Sequence, residues 1–232
     1  EIKITDAPPA ARAPVAKPDN TEAIAAVRDA LGANRSDLFL QPVVTLPQRK
    51  VRYYEALTRL RTPEGTMLQP PEFIDAAQAG GLMPRIDKLQ LYRGVQVVRR
   101  LQIKNREIGL FCNISTATLN DAETFAEILQ FMEANRALAS SLVLEFKQSA
   151  FRTMGPVETA CLASLRELGF RFSMDQVKDL RMEPRELGER GIRYVKVRAP
   201  FLLNEASAHG IDIHAADLSD LLGRYGISLI AE

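Results

Sequence analysis

Cysteine is nearly absent from this 232-residue chain, and the two present, Cys112 and Cys161, lie in apolar stretches without CxxC or Cys/His spacing. That excludes a disulfide framework and a zinc site and fits a reducing, cytoplasmic setting. Histidine is as scarce. His209 and His214 flank Ile211-Asp212-Ile213 with no neighbouring Cys and no paired-His spacing, so neither is given a functional role. Net charge is lacking too. Thirty Lys plus Arg against 29 Asp plus Glu leave a formal charge of +1, which draws the chain toward neither nucleic acid nor an anionic membrane. Any phosphate-binding site must be local. No apolar run approaches the ~20 residues that span a bilayer, and the first residues lack the basic-then-apolar pattern of a signal peptide. A start at Glu1 rather than Met suggests an excised piece, which leaves room for a membrane anchor ahead of it.

Residues 1 to 20 are rich in Ala and Pro with few large apolar groups, too little to offset the entropy of ordering. They are expected to form a disordered linker, with one domain over residues 21 to 232. Asn20-Thr21 offers a helix cap, and Gly32 and Asn34 mark the end of that helix. Beyond it, short apolar runs alternate with amphipathic stretches, the pattern of a mostly parallel α/β sheet. Strands are expected at 38–46, 51–60, 108–115, 141–147, 170–177, 194–198 and 227–231, and helices at 70–79, 86–104, 124–135, 156–168, 184–190 and 215–225. Only Pro47 to Lys50 separate the first two strands, too few for a parallel crossover, so that pair should be antiparallel. The chain reads as a TIM-like (β/α)8 barrel of which seven strands are visible, the eighth expected beyond Glu232.

Side chains at the carboxyl ends of barrel strands converge on one face, and polar residues recur at that level. Glu55, Asn113, Glu145, Asp175, Lys196 and Glu232 each follow or interrupt an apolar strand run. One such residue is usually a solvated strand end; six in succession are an inventory. Glu55, Asn113, Glu145 and Asp175 are hard oxygen donors suited to Mg2+ or Mn2+, and Lys196 suits a bridging water or a phosphate oxygen. Chemistry on a phosphodiester follows from that set. Cys112, beside Asn113, should point away from the lumen into packing. The run Arg93, Arg99, Arg100 and Lys104 lies opposite an apolar helix face and reads as a solvated surface.

The motifs, in order, resemble the EAL domain family of cyclic di-GMP phosphodiesterases. Leu40-Gln41-Pro42-Val43 is similar to the first-strand LxxQPI, Glu55-Ala56-Leu57-Thr58-Arg59 to ExLxR and Asn113-Ile114-Ser115 to NxS. Leu144-Glu145-Phe146 resembles the start of LEITE, Met174-Asp175-Gln176-Val177 that of LDDFGTG, Val195-Lys196-Val197 the LKID strand, and Ile230-Ala231-Glu232 the start of AEGVE. The resemblance implies metal positions at Glu55, Asn113, Glu145 and Asp175 and catalytic positions at Lys196 and Glu232. It implies that Gln41, Glu55, Leu57, Arg59, Asn113, Asp175 and Lys196 meet cyclic di-GMP. Arg59 would act on a phosphate oxygen through its planar multi-donor group. Active members use two cations to open the cyclic phosphodiester in line, giving pGpG.

Departures cluster at the metal and the loop beyond it. Gln176 stands where active members carry a second aspartate, Val177-Lys178-Asp179-Leu180 replaces FGTG, Gln148 replaces the glutamate that steadies that loop, and Arg198 replaces the aspartate of LKID. Losing a carboxylate weakens a site that must hold two divalent cations ~4 Å apart. Lys178 would oppose them further if it turned inward. Loss of the glycines should change the loop's path. The expectation is a degenerate EAL domain that receives cyclic di-GMP, turns it over weakly or not at all, and relays occupancy to a protein partner. A metal-dependent phosphodiesterase and a nucleotide-independent interaction platform are the alternatives. The stretches LPQRKVRYYEALTRLR and RFSMDQVKDLRMEPRELGERGIRYVKV further resemble alphaproteobacterial EAL proteins that place or assemble the flagellum, which are membrane-anchored with this domain in the cytoplasm. A homodimer is expected by analogy, and no nucleic acid partner.

Overall fold

A computed structural model describes residues 20–203 and 215–232 of the chain. The expected linker, except for Asn20, lies outside the described residues, and so do His209 and His214. Helix α1 (Asn20–Gly32) leads into a hairpin of β1 (Ser36–Val44) and β2 (Val51–Leu60). It is antiparallel, with Gln41 opposite Glu55 and Asp37 opposite Arg59, as the short connection requires. Helices α2 (Pro70–Ala79) and α3 (Met83–Lys104) then carry the chain to β3 (Gly109–Asn113), α4 (Thr116–Asn120), α5 (Ala122–Ala134) and β4 (Leu142–Lys147). There follow α6 (Gln148–Arg152), α7 (Pro156–Glu167), β5 (Arg171–Asp175), α8 (Pro184–Glu189), β6 (Ile192–Val197), α9 (Ala199–Leu203), α10 (Ala215–Gly223) and β7 (Ser228–Ala231). From β2 to β7 every neighbouring pair is parallel, giving one seven-stranded sheet in the order β1 to β7. Residues of β1 and β7 line one groove of about 1320 Å³, so the sheet curls until its two edges face each other.

Alternation along the strands sorts side chains into two apolar layers. Ala56, Leu110, Cys112, Leu144, Met174 and Val195 face outward into a continuous core beneath the helices, where each fully buried large side chain contributes ~1.5–3 kcal/mol relative to exposure. Cys112 is a packing residue there, as expected. Gly94 on α3 makes its approach possible, since a Cβ at that position would sit 2.9 Å from the Cys112 sulfur. Facing inward, Phe111, Val143 and Tyr194 pack with Val43, Tyr53 and Ile230 and plug the lumen. Tyr53 and Tyr194 share a hydroxyl–hydroxyl hydrogen bond of 2.5 Å. Gly109 admits the Tyr53 ring, which a Cβ would meet at 2.4 Å. A smaller cluster of Val27, Leu60, Phe73 and Ile86 joins α1, α2 and the start of α3.

Several boundaries differ from the sequence pattern for local reasons. The strand expected over 108–115 stops at Asn113, because Ser115 caps α4 by accepting from the Thr118 amide. Buried Asp87 in turn accepts from the Ser115 amide and hydroxyl, both at 2.7 Å. The strand expected to reach Val177 stops at Asp175, whose carboxylate takes the Gln176 amide at 2.5 Å. Gln176 is left-handed, with φ of 51°. Helices α4, α6 and α9 were not expected; at five residues each they are too short to display a helical period.

Candidate functional site

Above the aromatic plug, the inner faces of the strands change from apolar to charged. On β2, Glu55, Leu57 and Arg59 continue the face begun by Tyr53, and Gln41, Phe39 and Asp37 lie opposite them on β1. At ~3.3 Å per residue Arg59 is ~13 Å beyond Glu55 toward the mouth. Beta-two is held from outside by Gln90 of α3, which accepts from the Thr58 hydroxyl at 2.9 Å and donates to the Ala56 carbonyl at 3.2 Å.

Lys196 is the centre of the arrangement. Only 1% exposed, its Nζ lies 2.5 Å from Glu55 Oε2, 2.9 Å from Glu145 Oε1 and 3.5 Å from Glu232 Oε1. The Phe111 ring lies under the ammonium at 4.8 Å. Asn113 joins by donating from Nδ2 to Glu55 Oε1 at 3.4 Å. Burial pushes the Glu145 carboxyl up to about 7, against the pull of Lys196 and with reinforcement from Glu55 and Asp175. Burial also raises the carboxyls of Asp175 and Glu232. For Lys196, burial disfavours the charge, but Glu145 and Glu55 outweigh it and hold the ammonium above the ordinary lysine range. The cluster is an ammonium neutralised by surrounding carboxylates, of which Glu145 is pushed up to about 7.

The donor chemistry of Glu55, Asn113, Glu145 and Asp175 suits one hard divalent cation. Glu145 Oε2 is buried without a hydrogen-bond partner, which gives such an ion an acceptor to engage. Yet among the described residues no three His, Cys, Asp or Glu side chains are gathered in metal-holding geometry; Lys196 draws Glu55 and Glu145 to itself. Gln176, which follows Asp175, is exposed and neutral, and its backbone amide donates to an Asp175 carboxylate oxygen.

The loop after β5 is held by side chains of α6. Gln148, buried at the start of α6, accepts from the Lys178 amide at 2.9 Å and donates to the Asp179 carbonyl at 2.8 Å. A carboxylate could accept the first bond but not donate the second. Arg152, one turn on, grips the Asp179 carboxylate with two hydrogen bonds of 2.7 and 2.6 Å, which holds that carboxyl well below its ordinary range. Within this loop the left-handed residue is Gln176, and none of Val177 to Leu180 has a positive φ.

Gln41, Glu55, Asp175 and Glu232 therefore line the groove together, with Lys196, Glu145 and Asn113 bonded into their cluster. Leu57 is half-buried on the same face, level with Phe39. Arg59 stands apart from the carboxylates, donating to the Thr58 carbonyl with its guanidinium 5.8 Å from the Phe39 ring centre. Phe39 carries no polar group to mark it in the sequence, although counting back two from Gln41 along the strand puts it on the site face.

The EAL domain family model matches residues 24–232. An uncharacterized 76.5 kDa protein of Thiocystis violacea is 24% identical over 205 residues, covering 84% of this chain and 30% of its own length. The cyclic di-GMP phosphodiesterase NbdA of Pseudomonas aeruginosa is 30% identical over 150 residues, 64% of this chain and 19% of its own length. The chain thus spans under a third of these relatives. Among solved structures, the PaMucR phosphodiesterase in a c-di-GMP complex matches with a TM-score of 0.73 at 22% identity, covering 90% of this chain and 85% of that one. The FimX EAL domain from Pseudomonas aeruginosa bound to c-di-GMP gives 0.71 at 22%, covering 90% and 84%. At such identities the structural likeness speaks for the fold, while the family model covers nearly the whole chain, from α1 through β7: the chain belongs to the EAL domain family.

Proposed function

We propose that this domain is a cyclic di-GMP receptor that cleaves its ligand weakly or not at all and passes occupancy to a protein partner. The observation that carries the reading is the asymmetry of the groove. Gln41 and Glu55 line it from two paired strands, and Leu57 and Arg59 continue the Glu55 face toward the mouth as the proposed ligand-facing side. Its catalytic side has a neutral, exposed Gln176 in place of a carboxylate and a loop fastened by protein contacts. Relatives described as cyclic di-GMP phosphodiesterases and structures described as c-di-GMP complexes support the choice of ligand.

Glu55, Asn113, Glu145 and Asp175 would hold one Mg2+ or Mn2+, which when bound would polarise a phosphodiester oxygen. The chain's own residues do the rest. Lys196 neutralises Glu55 and Glu145, so the groove floor repels an anion less than its carboxylates would alone, and Arg59 offers a planar donor to phosphate. Ground-state contacts of this kind survive the loss of groups that act only in the transition state. The partner reading extends to flagellar placement or motility. No helix among the described residues is long and apolar enough to cross a membrane, and in this proposal any anchor belongs to other parts of the protein, with the domain in the cytoplasm.

Titration calorimetry with cyclic di-GMP, in Mg2+ and in EDTA, beside a chromatographic assay for pGpG, tests the proposal. Binding without turnover is expected. Rapid Mg2+-dependent production of pGpG, abolished by Glu55→Ala, would replace it with the phosphodiesterase; no binding in either buffer would leave the interaction platform.

A further inference from the structure

We propose that Lys178 and Arg198 are phosphate-binding residues, supplying by side chain the positive charge that lets a dianionic cyclic dinucleotide enter the groove without divalent cations. The inference rests on the receptor reading above and concerns how the charge of that ligand is met.

Glu55, Asp175 and Glu232 line the groove, so an anionic ligand meets carboxylates on entering. Three cationic side chains line it as well: Arg52, Lys178 and Arg198. Arg52 is engaged elsewhere, with the carbonyl and carboxylate of Glu107. Lys196 beneath them is buried and committed to three carboxylates. Lys178 and Arg198 differ from both. They are exposed, and among the described residues neither side chain has an ion pair or a hydrogen-bond partner.

Both are held at the groove by backbone. The two hydrogen bonds of Gln148 hold the Lys178 amide and the Asp179 carbonyl, and Arg152 grips the Asp179 carboxylate. The loop is fastened by bonds that use none of the Lys178 side chain, and Lys178 lines the groove. Arg198 follows Lys196 by two residues and so continues its face one step nearer the mouth. Around it, the Glu232 amide donates to the Val197 carbonyl at 3.0 Å and the Ala199 amide to the Glu232 carbonyl at 2.6 Å. Two cations on held backbone, beside the carboxylates that line the groove, equal in number the two phosphates of the ligand, and the guanidinium adds directional donors. The same cations disfavour a divalent ion beside them, which accounts jointly for the neutral Gln176 and the charge at Lys178 and Arg198.

The test is calorimetric titration of cyclic di-GMP in EDTA with the wild type, Lys178→Met and Arg198→Met, and with Lys178→Arg as the charge-preserving control. Melting curves report whether each variant is folded. Wild-type binding in EDTA, a loss of tenfold or more in each methionine variant at an unchanged melting temperature, and near-full affinity in Lys178→Arg are expected. If the wild type and both methionine variants bind within twofold of one another, the assignment is overturned while the receptor reading stands. Binding that requires Mg2+ overturns it likewise. A wild type that binds in neither buffer overturns both together.

Discussion

Replacing Lys196 with methionine removes the only ammonium among the described residues that touches Glu55, Glu145 and Glu232 while keeping most of the side-chain volume. Breaking a buried ion pair by deleting one partner costs ~3–5 kcal/mol, because the other charge stays behind. Glu145 can escape by protonation. Its carboxyl already stands at about 7 with Lys196 present, and removing the cation removes the strongest influence holding it down. At pH 5 it is neutral in both proteins, so the deficit shrinks to the lost hydrogen bonds, ~1–2 kcal/mol. At pH 8 the variant must either keep carboxylates together in a dry site or draw protons from dilute solution, at ~1.4 kcal/mol per pH unit. The expected loss is ~3–5 kcal/mol at pH 8, a drop of roughly 6–20 °C in melting temperature for a domain of this size. Urea unfolding at the two pH values measures it. A loss below ~1 kcal/mol at pH 8, or equal losses at both pH values, would refute the description of Lys196 as the neutraliser of a buried carboxylate cluster.

Gln148→Glu, which restores the family residue, should destabilise the chain by ~1–3 kcal/mol, since a carboxylate cannot donate to the Asp179 carbonyl. Hydrogen exchange should show faster amides over residues 177–181, and unchanged exchange there would sink the clamp. Stability of the wild type should rise as pH falls from about 7 toward the ordinary carboxylate range. Asp87, Glu145, Asp175 and Glu232 all have raised carboxyls in the folded state, with burial the first cause in each, so the folded chain binds more protons in that window. Asp179, lowered by Arg152, acts oppositely, its contribution being present above the ordinary aspartate range and lost only below it. Denaturation midpoints that climb steadily from pH 5 to pH 8 would contradict this balance.

The barrel was legible because its physics is periodic. Apolar runs of strand length alternate with helical stretches, and the brevity of Pro47 to Lys50 dictated the antiparallel start. The motif residues could be set at strand ends for the same reason, and their convergence follows from β2 to β7 running parallel. What stayed hidden was set by contacts between distant residues. Nothing near Gln148 in sequence shows that its amide will serve both Lys178 and Asp179, some 30 positions away. Nor does strand patterning reveal that Lys196 will occupy the midst of the carboxylates. That depends on which side chains are longest and which charges lie nearest once the sheet has curled.

The position of Lys196 also bears on how, in the proposed receptor, the same residues would support binding without supporting chemistry. A carboxylate bonded to an ammonium is a poorer metal ligand than a free one, because a cation must first displace that ammonium or share the oxygens with it. Where a second carboxylate stands beside Asp175, two cations together can outweigh that competition. Where Gln176 stands there, a single cation must do so alone, against Lys178 and Arg198 at the rim. The ligand's phosphates face the reverse balance. Each carboxylate that Lys196 neutralises, and each that takes up a proton as Glu145 does near pH 7, removes a repulsion. Lowering the pH from 8 to 6 in EDTA should therefore strengthen cyclic di-GMP binding while weakening any Mg2+ dependence. Affinity that falls over this range, measured by calorimetry with buffer-ionisation corrections, would show that the nucleotide depends on the carboxylates being charged, as a metal-bridged ligand does.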